Sequence, residues 1–447
     1  MAGDHWLSDN DLAVLARLVR RQREIDGRPA PLNQPVSVHR VELHVGVDAD
    51  GRRFLVRDPV GAADPDVLRP ATGTASTTVR MPANATGAVS AERWRGCLLA
   101  GAIGDALGAP IESKPIERIR ELTTAAGLTD FIPAYDGVGT ITDDTQMTLF
   151  TAEALIRAHA RARRTGSADV RYALQQGYQR WLHTQGVPWE KARGPERNED
   201  APGGWLVTVD GLHRRRAPGA TCFFALKGYG KTGELGTFTH TLNNSKGCGG
   251  VMRAAPVALW SADPREVFEA GAISAALTHS HPSGYLSAGA LGVIVQQLLR
   301  GAGLDAALTL ARNLLLGWPG HEEQVAALDA AVALAAQGPP TPEKVATLGG
   351  GNVGETALAI AVYAALVTAD PNSALLVAVN HSGDSDSTGA VCGNIVGARY
   401  GEAALEPRWL ERLELRDVIT RLAEDALAEF GPHPPTDDRW LVRYPAD

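Results

Sequence analysis

The sequence predicts a mostly α-helical protein whose helices pack closely. Glycine accounts for 48 of the 447 residues and aromatic residues for only 6%, which favours closely packed helices over a β-sandwich. Small residues recur at positions 96, 100, 104 and 108, and glycines recur at 389, 393, 397 and 401. A helical glycine costs about 1 kcal/mol relative to alanine, but it leaves a bare stripe on which another backbone can lie. We therefore expect these two helices to pack against each other.

Residues 1–60 predict a small α+β extension that differs from the rest of the chain. A capped amphipathic helix is expected at about 8–27. Period-two alternation at 36–45 and 53–57, on either side of an Asp-Ala-Asp-Gly turn, predicts a β-hairpin. Residues 61–90 are rich in Pro, Gly, Ala and Thr, a composition typical of a flexible linker.

Residues 91–430 are predicted to form the main helical domain, followed by an irregular tail at 431–447. Two loop-rich zones, 113–141 and 187–247, interrupt the helices. The second zone is long for a compact domain, which indicates that it contributes to function. Helices are predicted at 265–280, 284–300, 305–317, 321–336, 354–369, 373–380 and 408–430.

Charge and cysteine content argue against several classes of protein. A net charge of −8 disfavours a general nucleic-acid-binding protein. The four cysteines are scattered without a C-x-x-C pair, which fits a reducing compartment and disfavours both a disulfide framework and a zinc site. The N-terminal residues lack the pattern of a signal peptide, and no apolar run is long enough to span a membrane. We expect a cytoplasmic protein without a membrane partner.

Two short acidic runs, 142–145 and 384–387, each combine two aspartates with neighbouring hydroxyl residues at the start of an apolar helix. Such residues are preferred helix N-caps, and the helix dipole favours acidic residues in the first turn, so each run alone fits an ordinary cap. Two such runs brought together would repel each other unless a cation neutralised them. Their oxygen ligands suit Mg²⁺, Mn²⁺ or Ca²⁺. We predict a two-ion site shared between the runs.

Five motifs occur in a characteristic order, at 96–112, 142–145, 247–256, 278–282 and 383–389. Together they resemble the ADP-ribosylglycohydrolases, over about residues 92–430. The resemblance implies a compact orthogonal multi-helix domain that hydrolyses the glycosidic bond between ADP-ribose and an acceptor, using two Mg²⁺ ions, with Mn²⁺ as an alternative. A modified protein side chain is the expected acceptor. ADP-ribosylated nucleic acid and nucleotide conjugates are the other candidate substrates.

The resemblance also assigns roles to residues of this chain. The implied metal ligands are Thr142, Asp143, Asp144, Asp384, Asp386 and Ser387. Glu112 and Asp144 are the implied catalytic residues, and the implied substrate-binding residues are Ser245, Gly247, Cys248, Gly249 and His279. The glycines would let backbone N–H groups approach the diphosphate.

Several nearby residues are expected to be structural. Asp105 is predicted to bond a helix end, Ser385 to act as a cap or as a neighbour of the ligands, and His281 to have a structural role. His381 is expected beside the ligands. Met252 is predicted to pack in the core, and Arg253 to form a buried ion pair. Trp189 and Trp205 are candidates to stack on adenine.

A different function remains open for the N-terminal extension. Residues 1–60 could bind a protein partner, and an immunity protein that neutralises an ADP-ribosylating toxin through this extension is the alternative to catalysis. A segment that blocks a cationic NAD-binding cleft should be acidic. This extension is charge-balanced, which disfavours that alternative.

Overall fold

The computed structural model describes residues 87–445 and, as backbone, the strands β1 (Val41–Val47) and β2 (Arg53–Pro59). The strands pair antiparallel, with Val41 opposite Pro59 and Val47 opposite Arg53. They belong to a unit formed by residues 1–80, and the helices described below belong to a second unit, residues 81–447. The helix predicted at 8–27 and most of the predicted linker lie outside the described residues, so the domain boundaries stay predictions.

Residues 87–445 contain seventeen α-helices and five 3₁₀ helices, and no β-strand occurs within that range. This confirms the predicted mostly α fold. The α-helices are α1 (Ala91–Gly108), α2 (Ile116–Leu122), α3 (Asp143–Thr165), α4 (Val170–Thr184), α5 (Trp189–Ala192), α6 (Ala220–Thr232), α7 (Pro264–Ala276), α8 (Pro282–Leu299), α9 (Leu304–Leu315), α10 (Glu322–Ala335), α11 (Pro342–Ala346), α12 (Gly354–Val367), α13 (Pro371–Val379), α14 (Ser385–Tyr400), α15 (Pro407–Arg412), α16 (Arg416–Glu429) and α17 (Asp438–Arg443). The 3₁₀ helices are Leu206–Thr208, Asp210–Leu212, Cys248–Gly250, Ala255–Leu259 and Glu402–Ala404. Within the described part of the chain, no helix combines the length and apolar character needed to cross a bilayer.

The glycine stripes of α1 and α14 pack against each other in an antiparallel arrangement, as predicted. A Cβ atom added to Gly104 would lie 2.0 Å from the carbonyl oxygen of Gly389, and one added to Gly397 would lie 2.1 Å from that of Gly96. At the end of α1, a Cβ on Gly108 would lie 2.3 Å from the backbone nitrogen of Asp386. The close approach therefore places the C-terminal end of α1 directly beside the second acidic run.

Three sequence-based boundaries differ from the structure. The loop-rich zones contain helices α2, α5 and α6. The helix predicted at 408–430 is two helices, α15 and α16, because Leu415 between them takes a left-handed backbone conformation with φ of 56°. The tail predicted to be irregular contains α17 and packs on the domain. In this tail Trp440 donates to Glu429 and Tyr444 to Asp425, at 2.9 and 2.7 Å.

Candidate metal and substrate site

The first acidic run forms the N-terminus of α3, and Asp105 of α1 holds it in place. Thr142 is the N-cap residue, and its hydroxyl accepts a hydrogen bond from the Asp144 N–H at 3.3 Å. The buried Asp105 carboxylate accepts from the N–H groups of Thr142 and Thr145, at 3.0 and 3.1 Å, and from the Thr145 hydroxyl at 2.5 Å. Burial raises the pKa of Asp105 to about 6, while these hydrogen bonds oppose the shift. Asp105 therefore has the expected structural role of bonding a helix end.

The second acidic run forms the N-terminus of α14. Asp384 is the N-cap, and its Oδ1 accepts from the Ser387 N–H at 3.4 Å. Ser385 is not the cap but the first helical residue, and its backbone lies against Gly108. The Ser113 N–H donates to the Gly383 carbonyl at 2.7 Å, which fixes the turn carrying Glu112 beside this run.

The two runs and Glu112 come together in an acidic cluster, which comprises Glu112, Asp143, Asp144, Asp384 and Asp386. Carboxylate oxygens of Glu112, Asp384 and Asp386 lie within 4.8 Å of one another. The pKa of Asp386 is raised well above its usual range by burial and then by the negative charges of Asp144 and Asp384. Burial and then the charge of Asp143 raise the pKa of Asp144 in the same way. The first run therefore lies close enough to the second for their negative charges to repel each other.

A cation fits this arrangement of ligands. Asp144 Oδ1 is buried and has no hydrogen-bond partner among the described residues. A buried carboxylate oxygen without a donor is costly unless a positive charge compensates it. The surrounding candidate ligand atoms are carboxylate and hydroxyl oxygens, including those of Thr142 and Ser387. Hard divalent cations prefer such oxygen ligands. The cluster can therefore hold a metal ion at the facing ends of α3 and α14.

Cys248 belongs to a glycine-rich loop, residues 245–250, and connects this loop to the acidic cluster. Its thiol is 3.1 Å from Asp384 Oδ2 and 3.5 Å from Ser387 Oγ, so the side chain contacts the cluster. Its N–H donates to the Asn352 carbonyl at 3.1 Å. The thiol and the N–H of Cys248 both have partners within the protein, and its contact with substrate stays a prediction.

Gly247 and Gly249 of this loop face the imidazole of His279. A Cβ atom on either glycine would lie 3.2 Å from His279 Nε2. The N–H of Gly247 donates to the Ser245 hydroxyl at 3.3 Å, and that of Ser245 to Asn243 Oδ1 at 2.9 Å, so these two amides are used within the loop. The loop and His279 therefore lie together, as the assignment of both to substrate binding requires.

Two histidines near the site have structural contacts. His281 is the N-cap residue of α8, and its Nδ1 accepts from the Ser283 N–H at 3.2 Å, which fits the structural role expected for it. His381 is buried, with Nε2 at 2.9 Å from Thr388 Oγ1 in the first turn of α14. It therefore supports the helix that carries Asp384 and Asp386.

Arg253 lies beneath the glycine-rich loop and does not form the predicted ion pair. Its guanidinium is fully buried, yet none of the described residues offers it a carboxylate. It donates instead to the Ser274 carbonyl and to Thr278 Oγ1, both at 2.7 Å. It also lies 4.1 Å from the centre of the Tyr178 ring, a cation–π contact that compensates part of the lost hydration.

Comparison with known proteins identifies the group to which this arrangement belongs. Residues 86–435 match the family model of the ADP-ribosylglycohydrolases. The chain belongs to this family. Its membership supports hydrolysis of ADP-ribosylated substrates as the class of activity.

Two relatives and one solved structure show how far the similarity to other ADP-ribosylglycohydrolases extends. The chain is 26% identical to "ADP-ribosylarginine hydrolase Tri1" of Serratia proteamaculans, over 75% of this chain and 79% of the relative. It is also 26% identical to "ADP-ribosyl-[dinitrogen reductase] glycohydrolase" of Rhodospirillum rubrum, over 77% of this chain and 99% of the relative. An "ADP-ribosylglycohydrolase-related protein complex" matches in fold with a TM-score of 0.54 at 24% identity, over 74% of this chain and 96% of that chain.

In this ADP-ribosylglycohydrolase, the two tryptophans proposed to stack on adenine are used in packing. Trp189 is 5% exposed and lies edge-on to His183, with ring centroids 6.0 Å apart. The guanidinium of Arg443 covers the Trp205 ring at 4.8 Å. Trp189 is therefore unable to stack on a ligand, and Trp205 has one face occupied.

Sequence reasoning missed Tyr135, which lies at the tip of a tight turn near the acidic cluster. Ala134 and Gly137 close the turn by two backbone hydrogen bonds, at 3.0 and 3.1 Å, and Tyr135 adopts a left-handed conformation with φ of 53°. Its ring is 53% exposed. The pKa of Tyr135 is raised by partial burial and then by the charges of Asp386 and Glu112, so its hydroxyl is close to the cluster. The Asp-Gly pair that follows Tyr135 is the turn signal from which this loop tip could have been predicted.

Proposed function

We propose that this chain is a Mg²⁺-dependent hydrolase that removes ADP-ribose from a modified protein side chain, with arginine as the first candidate acceptor. The acidic cluster carries the proposal, because it collects five carboxyl groups, nearly all of them buried, around the partnerless Asp144 Oδ1. The names of the two relatives, an ADP-ribosylarginine hydrolase and a glycohydrolase for a modified protein, support the choice of acceptor.

The predicted ligands Thr142, Asp143, Asp144, Asp384, Asp386 and Ser387 would hold two Mg²⁺ ions. When bound, these ions would orient the ribose hydroxyls and lower the pKa of a bound water. Asp105 keeps the first run correctly oriented by bonding the N-terminus of α3. Cleavage of the glycosidic bond develops positive charge on the ribose. The carboxylate of Glu112, held at the cluster by the bond between Ser113 and Gly383, would stabilise that charge and orient the attacking water.

Replacement of Glu112 by glutamine tests its role in catalysis. We expect turnover to fall about 100-fold or more, with ADP-ribose affinity staying within about tenfold, because a transition-state contact need not contribute to ground-state binding. Steady-state kinetics and calorimetric titration with ADP-ribose measure the two effects. Glu117→Gln, a change at an exposed position on the nearby α2, is the matched control and should have no effect. Equal losses of rate and affinity would make Glu112 a binding residue instead.

A panel of modified substrates tests the acceptor. Peptides ADP-ribosylated on arginine, serine or glutamate and an ADP-ribosylated oligonucleotide would be assayed with Mg²⁺, Mn²⁺, Ca²⁺ or a chelator. We expect release of ADP-ribose from the arginine peptide with Mg²⁺ and none with chelator. Turnover of the oligonucleotide alone would overturn the protein acceptor. Binding of ADP-ribose without turnover of any substrate would favour a binding function.

A further inference from the structure

Three buried side chains form a hydrogen-bonded series beneath the glycine-rich loop. Arg253 and Thr278 are completely buried, and His279 is 2% exposed. The Arg253 guanidinium donates from Nη2 to Thr278 Oγ1 at 2.7 Å, and Thr278 Oγ1 lies 2.8 Å from His279 Nδ1. This hydrogen-bonded series therefore links a buried cation to the imidazole that faces the loop.

The donors and acceptors in this hydrogen-bonded series bear on which ring nitrogen of His279 carries the proton. A guanidinium only donates hydrogen bonds, so Thr278 Oγ1 accepts from Arg253 and has one proton of its own to donate. Two acceptors are in reach, His279 Nδ1 at 2.8 Å and the Ala275 carbonyl at 3.3 Å, and the shorter contact is to the histidine. Donation over the shorter contact places the hydrogen of the neutral imidazole on Nε2, whereas donation to Ala275 would leave the hydrogen on Nδ1.

The imidazole stays neutral because it is buried beside a cation. Burial, and after it the positive charge of Arg253, lowers the pKa of His279 to about 3. Its Nε2 faces the bare backbone of Gly247 and Gly249, and no described residue accepts a hydrogen bond from it. An added Cβ at Gly249 would also lie 2.8 Å from Cys222 Sγ, so glycine is needed there to leave this face of the loop open.

Among residues 87–445, no carboxylate contacts Arg253, which favours an anionic ligand at the loop. A buried charge without an opposite charge is unfavourable unless a ligand supplies one. The contacts of Arg253 to Ser274, Thr278, Cys222 and Tyr178 supply hydrogen bonds and a cation–π interaction but no negative charge. A diphosphate at the loop would provide that negative charge.

We propose that Arg253 and Thr278 are positioning residues that hold His279 in the Nε2–H tautomer, so that its neutral ring donates a hydrogen bond to a diphosphate oxygen of the ADP-ribosyl group. The identity of this ligand rests on the proposed function, whereas the tautomer does not.

The tautomer can be measured directly on the full chain. Protein labelled with ¹⁵N-histidine would be studied by NMR, with His279→Gln used to identify the signals of His279. We expect Nε2 to be protonated and Nδ1 to be unprotonated in the wild type and in Thr278→Ser, which keeps the hydroxyl. In Thr278→Val the Nδ1–H tautomer should become populated. A protonated Nδ1 in the wild-type protein would overturn the proposal, whether or not the protein binds ADP-ribose.

Binding of ADP-ribose tests the consequence of the tautomer. We expect Thr278→Val to weaken ADP-ribose binding about tenfold or more, because a hydrogen bond to a charged group is lost, and Thr278→Ser to restore it. Adenosine, which has no diphosphate, should bind the variants as it binds the wild type. Thr184→Val is the matched control, because the Thr184 hydroxyl is also buried but donates to the Trp181 carbonyl rather than to His279.

The outcomes distinguish the proposal from the proposed function. Thermal unfolding would show that each variant is folded, and Thr278→Ala replaces Thr278→Val if valine does not fit. Wild-type affinity in the variant without the hydroxyl would overturn the role of Thr278 alone. A wild-type protein that bound no ADP-ribose would overturn the proposed function and the ligand assigned to Nε2, while the NMR result would still decide the tautomer.

Discussion

Replacing Asp386 by asparagine is expected to abolish turnover and to remove the rise in unfolding temperature that we expect Mg²⁺ to give the wild-type protein. Asp386 is 2% exposed, and one of its oxygens lies within 4.8 Å of ligand atoms of Glu112 and Asp384. The loss of one charged ligand from such a group should reduce the affinity for the cation strongly. Thermal unfolding with and without Mg²⁺, together with a turnover assay, measures both effects.

The matched control is Asp329→Asn on α10. Asp329 is an aspartate whose partner is Arg312 on the protein surface, with the two side chains 2.7 Å apart. This control should keep both turnover and the response to Mg²⁺, because an exposed ion pair contributes little to stability. Full turnover of Asp386→Asn in the presence of chelator would contradict the metal site.

In the absence of metal, the same substitution should have the opposite effect on stability. Burial and then the charges of Asp144 and Asp384 raise the pKa of Asp386 above its usual range. A carboxyl group whose pKa is higher in the folded than in the unfolded state stabilises the fold at low pH, and this stabilisation is lost as the pH rises through the folded-state pKa. In chelator, the wild type should therefore lose stability relative to Asp386→Asn as the pH rises from about 4.

Unfolding temperatures of the two proteins in chelator, measured across this pH range, test the repulsion. Asp386→Asn should be the more stable protein at neutral pH, because its neutral amide removes one charge from the acidic cluster. A variant that is less stable than the wild type by the same amount at every pH would show that the lost contacts of Asp386, and not its charge, determine the result.

The features predicted correctly from the sequence are those with a local cause. Glycine spacing predicted the contact of α1 with α14, because only the absence of a side chain allows Gly104 and Gly389 to lie so close. The two acidic runs were predicted as helix starts because Asp and Thr are preferred caps. Thr142 and Asp384 are the N-caps of α3 and α14, so the interpretation as caps is correct, and their role as metal ligands stays a prediction.

The features that were missed depend on contacts between distant parts of the chain. The sequence gives no sign that Arg253 lacks a carboxylate, because its partners Ser274 and Thr278 reach it only through the fold. The same holds for Cys248, whose thiol meets Asp384 from 136 residues away. Helix α6 was missed because its two glycines and the absence of a side-chain N-cap resemble the loop around it.

The largest effect on stability is expected from Gly393→Ala in α14. A Cβ at this position would lie 2.0 Å from the Ala100 carbonyl oxygen and 2.6 Å from the Gly101 nitrogen. These are backbone atoms of α1, which are unable to rotate away. We expect a loss of about 3 kcal/mol or more in the free energy of unfolding, despite the gain of about 1 kcal/mol that alanine brings in helix propensity.

Gly228→Ala in α6 is the matched control for this substitution, because no atom lies within 4 Å of a Cβ added there. It should stabilise the protein by about 0.5–1 kcal/mol. Urea unfolding of both variants measures the difference.

The acidic cluster should respond to Gly393→Ala as well. Because α1 leads to Glu112 and the N-terminus of α14 carries Asp384 and Asp386, a wider separation of the two helices would move these carboxylates apart. The Gly393→Ala protein that remains folded should therefore bind Mg²⁺ more weakly than Gly228→Ala, and equal stability and equal Mg²⁺ binding in the two variants would contradict the close contact of the glycine stripes.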